Sequence, residues 1–121
     1  MKTVLIVDDS EFMRTLIKRK ISALDVNVIG EAEDGKVAVK KFIELKPDIV
    51  TLDLAMHEHG GVEALEKIKQ HDPDAIVVVV CSTGDQVSVI EEVKALGAHT
   101  VVNKPLKDDE LTDVFRSILN Q

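Results

Sequence analysis

Five short runs rich in valine and isoleucine recur along the chain: Thr3–Val7, Val26–Gly30, Asp48–Asp53, Ala75–Cys81 and Thr100–Asn103. Three of them lack the polar alternation of a half-exposed strand, which predicts strands covered on both faces, as in a parallel sheet. Between the runs, apolar residues return at helical spacing. The first such stripe is Phe12, Met13, Leu16, Ile17, Ile21 and Leu24, and the second is Val37, Val39, Phe42, Ile43 and Leu45. The third is Val62, Leu65 and Ile68; the fourth is Val87, Ile90, Val93 and Leu96; the fifth is Leu111, Val114, Phe115, Ile118 and Leu119. Punctuation agrees. Ser10 can cap the first helix and Pro47 closes the second. His71-Asp-Pro-Asp74 breaks the third, Gly97-Ala98 ends the fourth, and Pro105 leads into the fifth. Five β/α units in alternation predict an α/β fold, a doubly wound five-stranded parallel sheet with five helices and right-handed crossovers.

Composition narrows the function classes. The 121 residues suit one domain, 1–121, and 45% apolar with 31% charged residues suits a globular chain. No run approaches the length a membrane span needs, and the N-terminus lacks a signal-peptide layout. A single cysteine, Cys81, suits a reducing compartment, so a cytoplasmic protein is expected, with no membrane partner. The net charge of −7 argues against a phosphate-backbone binder, and there is no Trp or Tyr to stack on bases. Arg14, Lys18, Arg19 and Lys20 cluster in one predicted helix and read as a solvated face rather than a nucleic-acid patch.

Chemistry in such sheets gathers where the strands end and their order reverses. The first predicted strand ends in Asp8-Asp9, the third in Asp53, the fourth in Ser82-Thr83 and the fifth in Lys104-Pro105. Alone, an aspartate at a strand end is usually a turn or cap residue, and Lys-Pro is ordinary loop chemistry. Four strand ends supplying complementary groups together point to a site. Three neighbouring carboxylates need a counter-charge, and oxygen ligands at a partly solvated edge suit Mg²⁺. Asp8 and Asp9 read as a metal shelf. A carboxylate nucleophile in Asp53, a divalent ion, an ammonium in Lys104 and a hydroxyl are the equipment of phosphoryl transfer.

The motifs Leu5-Ile-Val-Asp-Asp-Ser10, Glu11-Phe-Met-Arg14, Glu33-Asp-Gly35, Pro47-Asp-Ile-Val-Thr-Leu-Asp53, Val80-Cys-Ser82 and Asn103-Lys-Pro105 span the chain. In this order they resemble the receiver domain of two-component response regulators, in its free-standing chemotaxis (CheY-like) type. The resemblance implies a flavodoxin-like strand order, 2-1-3-4-5; such receivers are a standard example of that sheet, so the order is carried over rather than read from spacing. It implies that Asp53 accepts a phosphoryl group from a sensor histidine kinase of the chemotaxis type. Asp9, Asp53 and the backbone carbonyl of Ala55 would ligate Mg²⁺, with Asp8 acting through water. Ser82 and Lys104 would read the phosphate, with Thr83 second to Ser82. With no room for an output domain, output is expected through reversible contact with a flagellar motor switch or adaptor protein, with a phosphatase as a further partner. The family's output face maps to Gln86–Leu96, His99–Asn103 and Asp108–Leu119, where Gln86, Ile90, Val101 and Leu106 are the residues of interest.

Departures from the family pattern are local. Met56-His-Glu-His-Gly-Gly61 replaces the usual Met-Pro stretch, which reads as a loosened hinge, and His57 and His59 read as solvated rather than as metal ligands. Val101 stands where an aromatic switch residue is common, and Leu106 where Phe is frequent. Two other readings compete. A small Mg²⁺-dependent phosphatase with an aspartyl intermediate would want a second Asp at position 55, which is Ala55. A stand-alone receiver in a phosphorelay outside chemotaxis would share the whole site. The expectation is a signalling protein whose only chemistry is phosphoryl acceptance and its own dephosphorylation, not an enzyme acting on a substrate.

Overall fold

Val4, Leu5 and Ile6 are fully buried and Val7 nearly so, four consecutive side chains that point alternately to opposite faces. A strand can bury both faces only with layers on both sides, and that requirement organises the fold. The computed structural model describes residues 1–55, 60–81, 87–107 and 109–121. The chain runs β1 (Lys2–Val7), α1 (Glu11–Ile21), β2 (Val26–Ala32), α2 (Gly35–Leu45), β3 (Ile49–Asp53), then α3 (Gly61–His71), β4 (Ile76–Cys81), α4 (Val87–Ala95), β5 (Thr100–Asn103) and α5 (Glu110–Leu119). All strand pairs are parallel and the order is β2-β1-β3-β4-β5. The flavodoxin-like architecture is therefore as expected.

One face of the sheet packs Leu5, Val7, Val50, Leu52, Val77 and Val79 against Ala38 and Phe42 of α2, Ala64, Leu65 and Ile68 of α3, and Val93 of α4. The other packs Val4, Ile6, Ile49, Val78 and Val102 against Ile17 and Ile21 of α1 and Leu111, Phe115 and Ile118 of α5. Ser10 caps α1 by accepting from the Met13 N–H at 3.2 Å, and Asp34 caps α2 by accepting from Val37 at 2.8 Å. No helix among the described residues is long and apolar enough to cross a membrane.

The differences from the sequence reading are ones of phase and boundary. β2 extends to Ala32, because Val7 pairs with Ala32 beyond a register shift at Val4/Leu5. Phe12 is 75% exposed: it lies five residues, roughly 140° round the helix, from the buried Ile17. Ile43 and Leu45 are also exposed, since Ala38 and Phe42 already fill the inner face of α2. Pro105 does not lead straight into α5, which starts five residues later at Glu110.

At the edge of the sheet away from the strand C-termini, Asp48 joins β1 to β3. Its Oδ2 accepts from the Thr3 N–H at 2.8 Å and the Thr3 hydroxyl at 3.1 Å. The Thr3 hydroxyl in turn accepts from the Asp48 N–H at 3.0 Å. The Thr3 N–H bond is the main cause holding the Asp48 carboxyl below its ordinary value of 3.8. A depressed folded value contributes stability that is complete above the unfolded value and lost as pH falls through the folded one. Asp48→Ala is expected to lower Tm by roughly 2–5 °C at pH 7, a modest loss for an exposed hydrogen-bonded group. In thermal melts the gap between variant and wild type should narrow as pH drops below the ordinary carboxylate value. A gap that stays constant with pH would show that the carboxylate charge contributes nothing.

Candidate functional site

The parallel register builds the site. Val7 of β1 pairs with Leu52 of β3, so the next residue on each strand, Asp8 and Asp53, come to lie side by side. Each is held by the last rungs of the sheet: the Asp8 N–H donates to the Ala32 carbonyl and the Leu54 N–H to the Val80 carbonyl, both at 3.0 Å. On the far side, Cys81 pairs with Asn103, and the Lys104 N–H donates to the Cys81 carbonyl at 2.7 Å. The Cys81 thiol donates to Asn103 Oδ1 at 3.1 Å, bracing the same turn. Lys104 is followed by a cis peptide bond to Pro105.

Asp8 and Asp53 are buried, whereas Asp9 is exposed at the rim. The two buried carboxylates are oriented alike. Asp8 Oδ1 accepts from the Ser10 N–H at 2.9 Å and Asp53 Oδ1 from the Ala55 N–H at 3.0 Å. Their Oδ2 atoms face Lys104 Nζ, at 3.3 Å from Asp8 and 3.4 Å from Asp53. Asp8 Oδ2 is buried and, among the described residues, meets the Lys104 ammonium as an ion pair without a well-formed hydrogen bond.

Burial pushes the Asp8 carboxyl above its ordinary value and the charge of Asp53 adds to this, while the Ser10 N–H and Lys104 pull the other way. Burial alone would lower Lys104, but Asp53 and Asp8 together outweigh it and its ammonium is held more firmly than usual. One ammonium thus faces two buried carboxylates, and one oxygen each of Asp8, Asp9 and Asp53 lie within 4.8 Å of one another. A buried carboxylate oxygen without a well-formed hydrogen bond among the described residues, an all-oxygen donor set and an exposed rim fit a hard divalent cation that keeps part of its water.

The comparisons with known proteins agree with this geometry. The family model of the response regulator receiver domain matches residues 4–116. The chain belongs to the response regulator receiver family. It is 42% identical over 117 residues to chemotaxis protein CheY of Thermotoga maritima, covering 97% of each chain. It is 45% identical over 115 residues to chemotaxis protein CheY of Listeria monocytogenes, covering 95% of this chain and 96% of that one. Among solved structures, the CheX-CheY-BeF3-Mg complex from Borrelia burgdorferi superposes with a TM-score of 0.91 at 30% identity, covering 98% of this receiver and 89% of that chain. The function is accordingly that of a chemotaxis-type response regulator in phosphorelay signal transduction, and the phosphatase reading is not favoured.

Of the residues the sequence singled out, Asp8, Asp9, Asp53 and Lys104 are brought together and Ala55 adjoins Asp53. Ser82, Thr83, Gln86, His57 and His59 lie outside the described residues. Val101 is half-buried against the α2–α3–α4 layer, Leu106 is half-buried against the α1–α5 layer, and Ile90 of α4 is half-buried.

Two supports of the receiver site lie outside the strand-end pattern. Arg14 and Lys18 are not simply solvated. Arg14 donates to the Asp8 carbonyl at 2.6 Å and to Glu31 at 2.9 Å, and Lys18 pairs with Glu31 at 2.7 Å. The Lys18 hydrogen bond, helped by Arg14 and opposed by burial, holds the Glu31 carboxyl low. The i, i+4 spacing of Arg14 and Lys18 places both on one side of α1 and was the available signal. The second support is Gly61, which reads in sequence as loosening a hinge. It is instead the buried first residue of α3, and a Cβ there would lie 2.5 Å from the Asp53 carbonyl oxygen and 2.7 Å from Leu54 Cα. Both contacts are with backbone, so a side chain would displace the turn that carries Asp53.

Burial and the neighbouring Asp53 both disfavour the charge on Asp8, whereas Asp9 is exposed. A folded carboxyl value above the unfolded one costs stability as pH rises from the unfolded value through the folded one. With divalent ions chelated, Asp8→Asn is expected to stabilise the fold at pH 7 by about 1–3 kcal/mol, the scale of one buried polar group that its partners only partly satisfy. The two proteins should converge under acid, where Asp8 is protonated anyway. Urea melts across pH would check this, and a less stable variant at pH 7 would assign Asp8 a structural role instead.

Proposed function

We propose that the chain is a single receiver unit, 1–121, that accepts a phosphoryl group on Asp53 and passes the signal on by protein contact. The observation that carries this reading is the asymmetry of the Asp53 carboxylate. Its Oδ1 is engaged by the Ala55 N–H while Oδ2 faces Lys104 at 3.4 Å. In this reading Oδ2 attacks phosphorus, with the phosphorus–nitrogen bond to the donor imidazole breaking and that ring keeping the electron pair. The Lys104 ammonium then accompanies the charge of the transferred group. Mg²⁺, held by Asp9, Asp53 and the Ala55 carbonyl with Asp8 acting through water, would supply neutralisation of the phosphoryl oxygens.

Ser82 is the proposed phosphate-reading hydroxyl, with Thr83 the second choice, on the strength of the Cys81-Ser82 motif. The phosphoryl donor is proposed to be a chemotaxis-type sensor histidine kinase. Output is assigned to α4, β5 and α5, toward a flagellar motor switch or adaptor protein, with a phosphatase acting on the same face or site. A solved neighbour in which a chemotaxis receiver is complexed with CheX supports partners of this kind. The lone thiol of Cys81 supports a cytoplasmic location. The chemistry is proposed to be confined to this chain's own phosphorylation and dephosphorylation, with no external substrate.

Acetyl phosphate with Mg²⁺ is expected to add one phosphoryl group, seen by intact-mass spectrometry and abolished in Asp53→Asn. On adding beryllofluoride, Ser82→Ala should blunt the amide shifts of α4 more than Thr83→Ala does. Undiminished labelling of the Asn variant would remove Asp53 from the role, and the reverse order of the hydroxyl variants would exchange Ser82 for Thr83.

A further inference from the structure

The seam between α2 and α3 is a groove that the phosphoryl chemistry does not use. Its main hollow, about 520 Å³, has Val39, Ile43 and Ala64 among its lining and Lys36, Lys40 and Lys67 along its rim. A second hollow of about 270 Å³ continues from Ile43 toward Lys46, His71 and Asp72 at the other end of the two helices. Lys36, Lys40 and Ile43 recur at spacings of four and three along α2, and Ala64 and Lys67 at three along α3, so each helix turns one stripe to the seam.

The seam is unusual in two ways for this molecule. Ile43 is 45% exposed in it, one of the few large apolar side chains left open among the described residues. Its charge also runs against the chain's. Four lysines line the two hollows against Glu63 and Asp72, in a protein whose net charge is −7. Lys67 is paired with Glu63 at 3.1 Å, whereas Lys36 and Lys40 have no ion-pair partner among the described residues.

We propose that the α2–α3 seam is a second docking surface, one that takes an acidic amphipathic helix of a partner protein. The groove chemistry selects that occupant. Apolar lining with cationic rims matches a helix carrying apolar anchors at i, i+3, i+4 and i+7 and carboxylates on both flanks. Each wall is an 11-residue helix, about 16 Å long, which accommodates three turns of such a helix. The residues lining the two hollows belong to α2, α3 and their C-terminal caps, not to a strand, so an extended peptide lying in the seam would meet helix walls rather than a sheet edge. Among the described residues the main hollow is lined by no Phe, Tyr or Trp, and Phe42 at the second is buried, so nucleic-acid bases find no open ring of these types to stack on. It is also distinct from the α4–β5–α5 surface assigned to output, so both could be occupied together.

The test uses the full chain, isotope-labelled for amide NMR, and a capped helical peptide of about fourteen residues. Leucines stand at the four anchor positions and glutamates on the flanks, with a control in which lysines replace the glutamates. Shifts are expected at Val39, Lys40, Ile43 and Ala64 with the acidic peptide and not with the control. Lys36→Glu with Lys40→Glu should weaken binding roughly tenfold, because each exposed ion pair contributes little and two are reversed. Both positions are exposed, and an unchanged melt would show that the variant folds. Asp53→Asn should bind like wild type, which separates this proposal from the phosphoryl reading. Several results would overturn it: equal binding of the lysine peptide, shifts confined to α4–β5–α5, or preferential binding to anionic vesicles or single-stranded RNA. Self-association through this seam in ultracentrifugation would overturn it in favour of a second copy of the chain.

Discussion

The contact between Lys104 and the paired carboxylates of Asp8 and Asp53 is the constraint around which the rest of the molecule is arranged. Two carboxylates set side by side in a buried position repel and lose hydration, and one ammonium 3.3 and 3.4 Å away answers both. It answers them incompletely. Among the described residues Asp8 Oδ2 has the ion pair but no well-formed hydrogen bond, and the Asp9 carboxylate adds further negative charge at the rim. A site built this way is receptive to cations and to a group whose transfer redistributes negative charge. The same features suit the receiver's role as a reversible switch, since adding or removing a phosphoryl group alters the balance on which the loops are set.

Such a cluster is tolerable because its backbone is rigid. Asp8, Leu54 and Lys104 all donate their N–H groups into the final rungs of the sheet, so the charged side chains project from β structure rather than from a free loop. Around them, Arg14 ties the Asp8 carbonyl to Glu31 on β2, and Gly61 lets α3 begin directly against the Asp53 carbonyl. Lys41 adds a bond to the Glu31 carbonyl from α2. These groups position the site without belonging to its chemistry. Small steric or charge changes in them would be transmitted to Asp53 through backbone, which is stiffer than any side-chain contact.

The layer arrangement also separates surfaces. α1 and α5 cover one face of the sheet and α2, α3 and α4 the other. Val101 packs into the α2–α3–α4 layer and Leu106 into the α1–α5 layer, so the fifth strand and its following turn touch both. With aliphatic residues at these positions there is no large ring to move between buried and exposed states. The seam between α2 and α3 lies toward the opposite edge, with its own charge and its own exposed apolar residue.

The chain alone determined the order and type of every element and the identity of the four charged residues in the site. It could do so because uninterrupted runs such as Val4–Val7 fit only strands buried on both faces, and because Asp8, Asp9, Asp53 and Lys104 each stand directly at a strand end. Periodicity gives the stripe of a helix but not which flank residues the sheet will cover, so Phe12, Ile43 and Leu45 belong to the apolar stripes and yet are exposed. Glycine in a loop likewise reads as freedom, whereas Gly61 is needed for the space it leaves beside Asp53. The partnership of Arg14 and Lys18 with Glu31, and the pairing of Lys104 with Asp8 as well as Asp53, join residues far apart in the chain. Local sequence specifies which groups are present. Only the parallel register and the packing of α1 on β2 bring those groups within hydrogen-bonding distance, because long-range contacts are set by how whole elements stack.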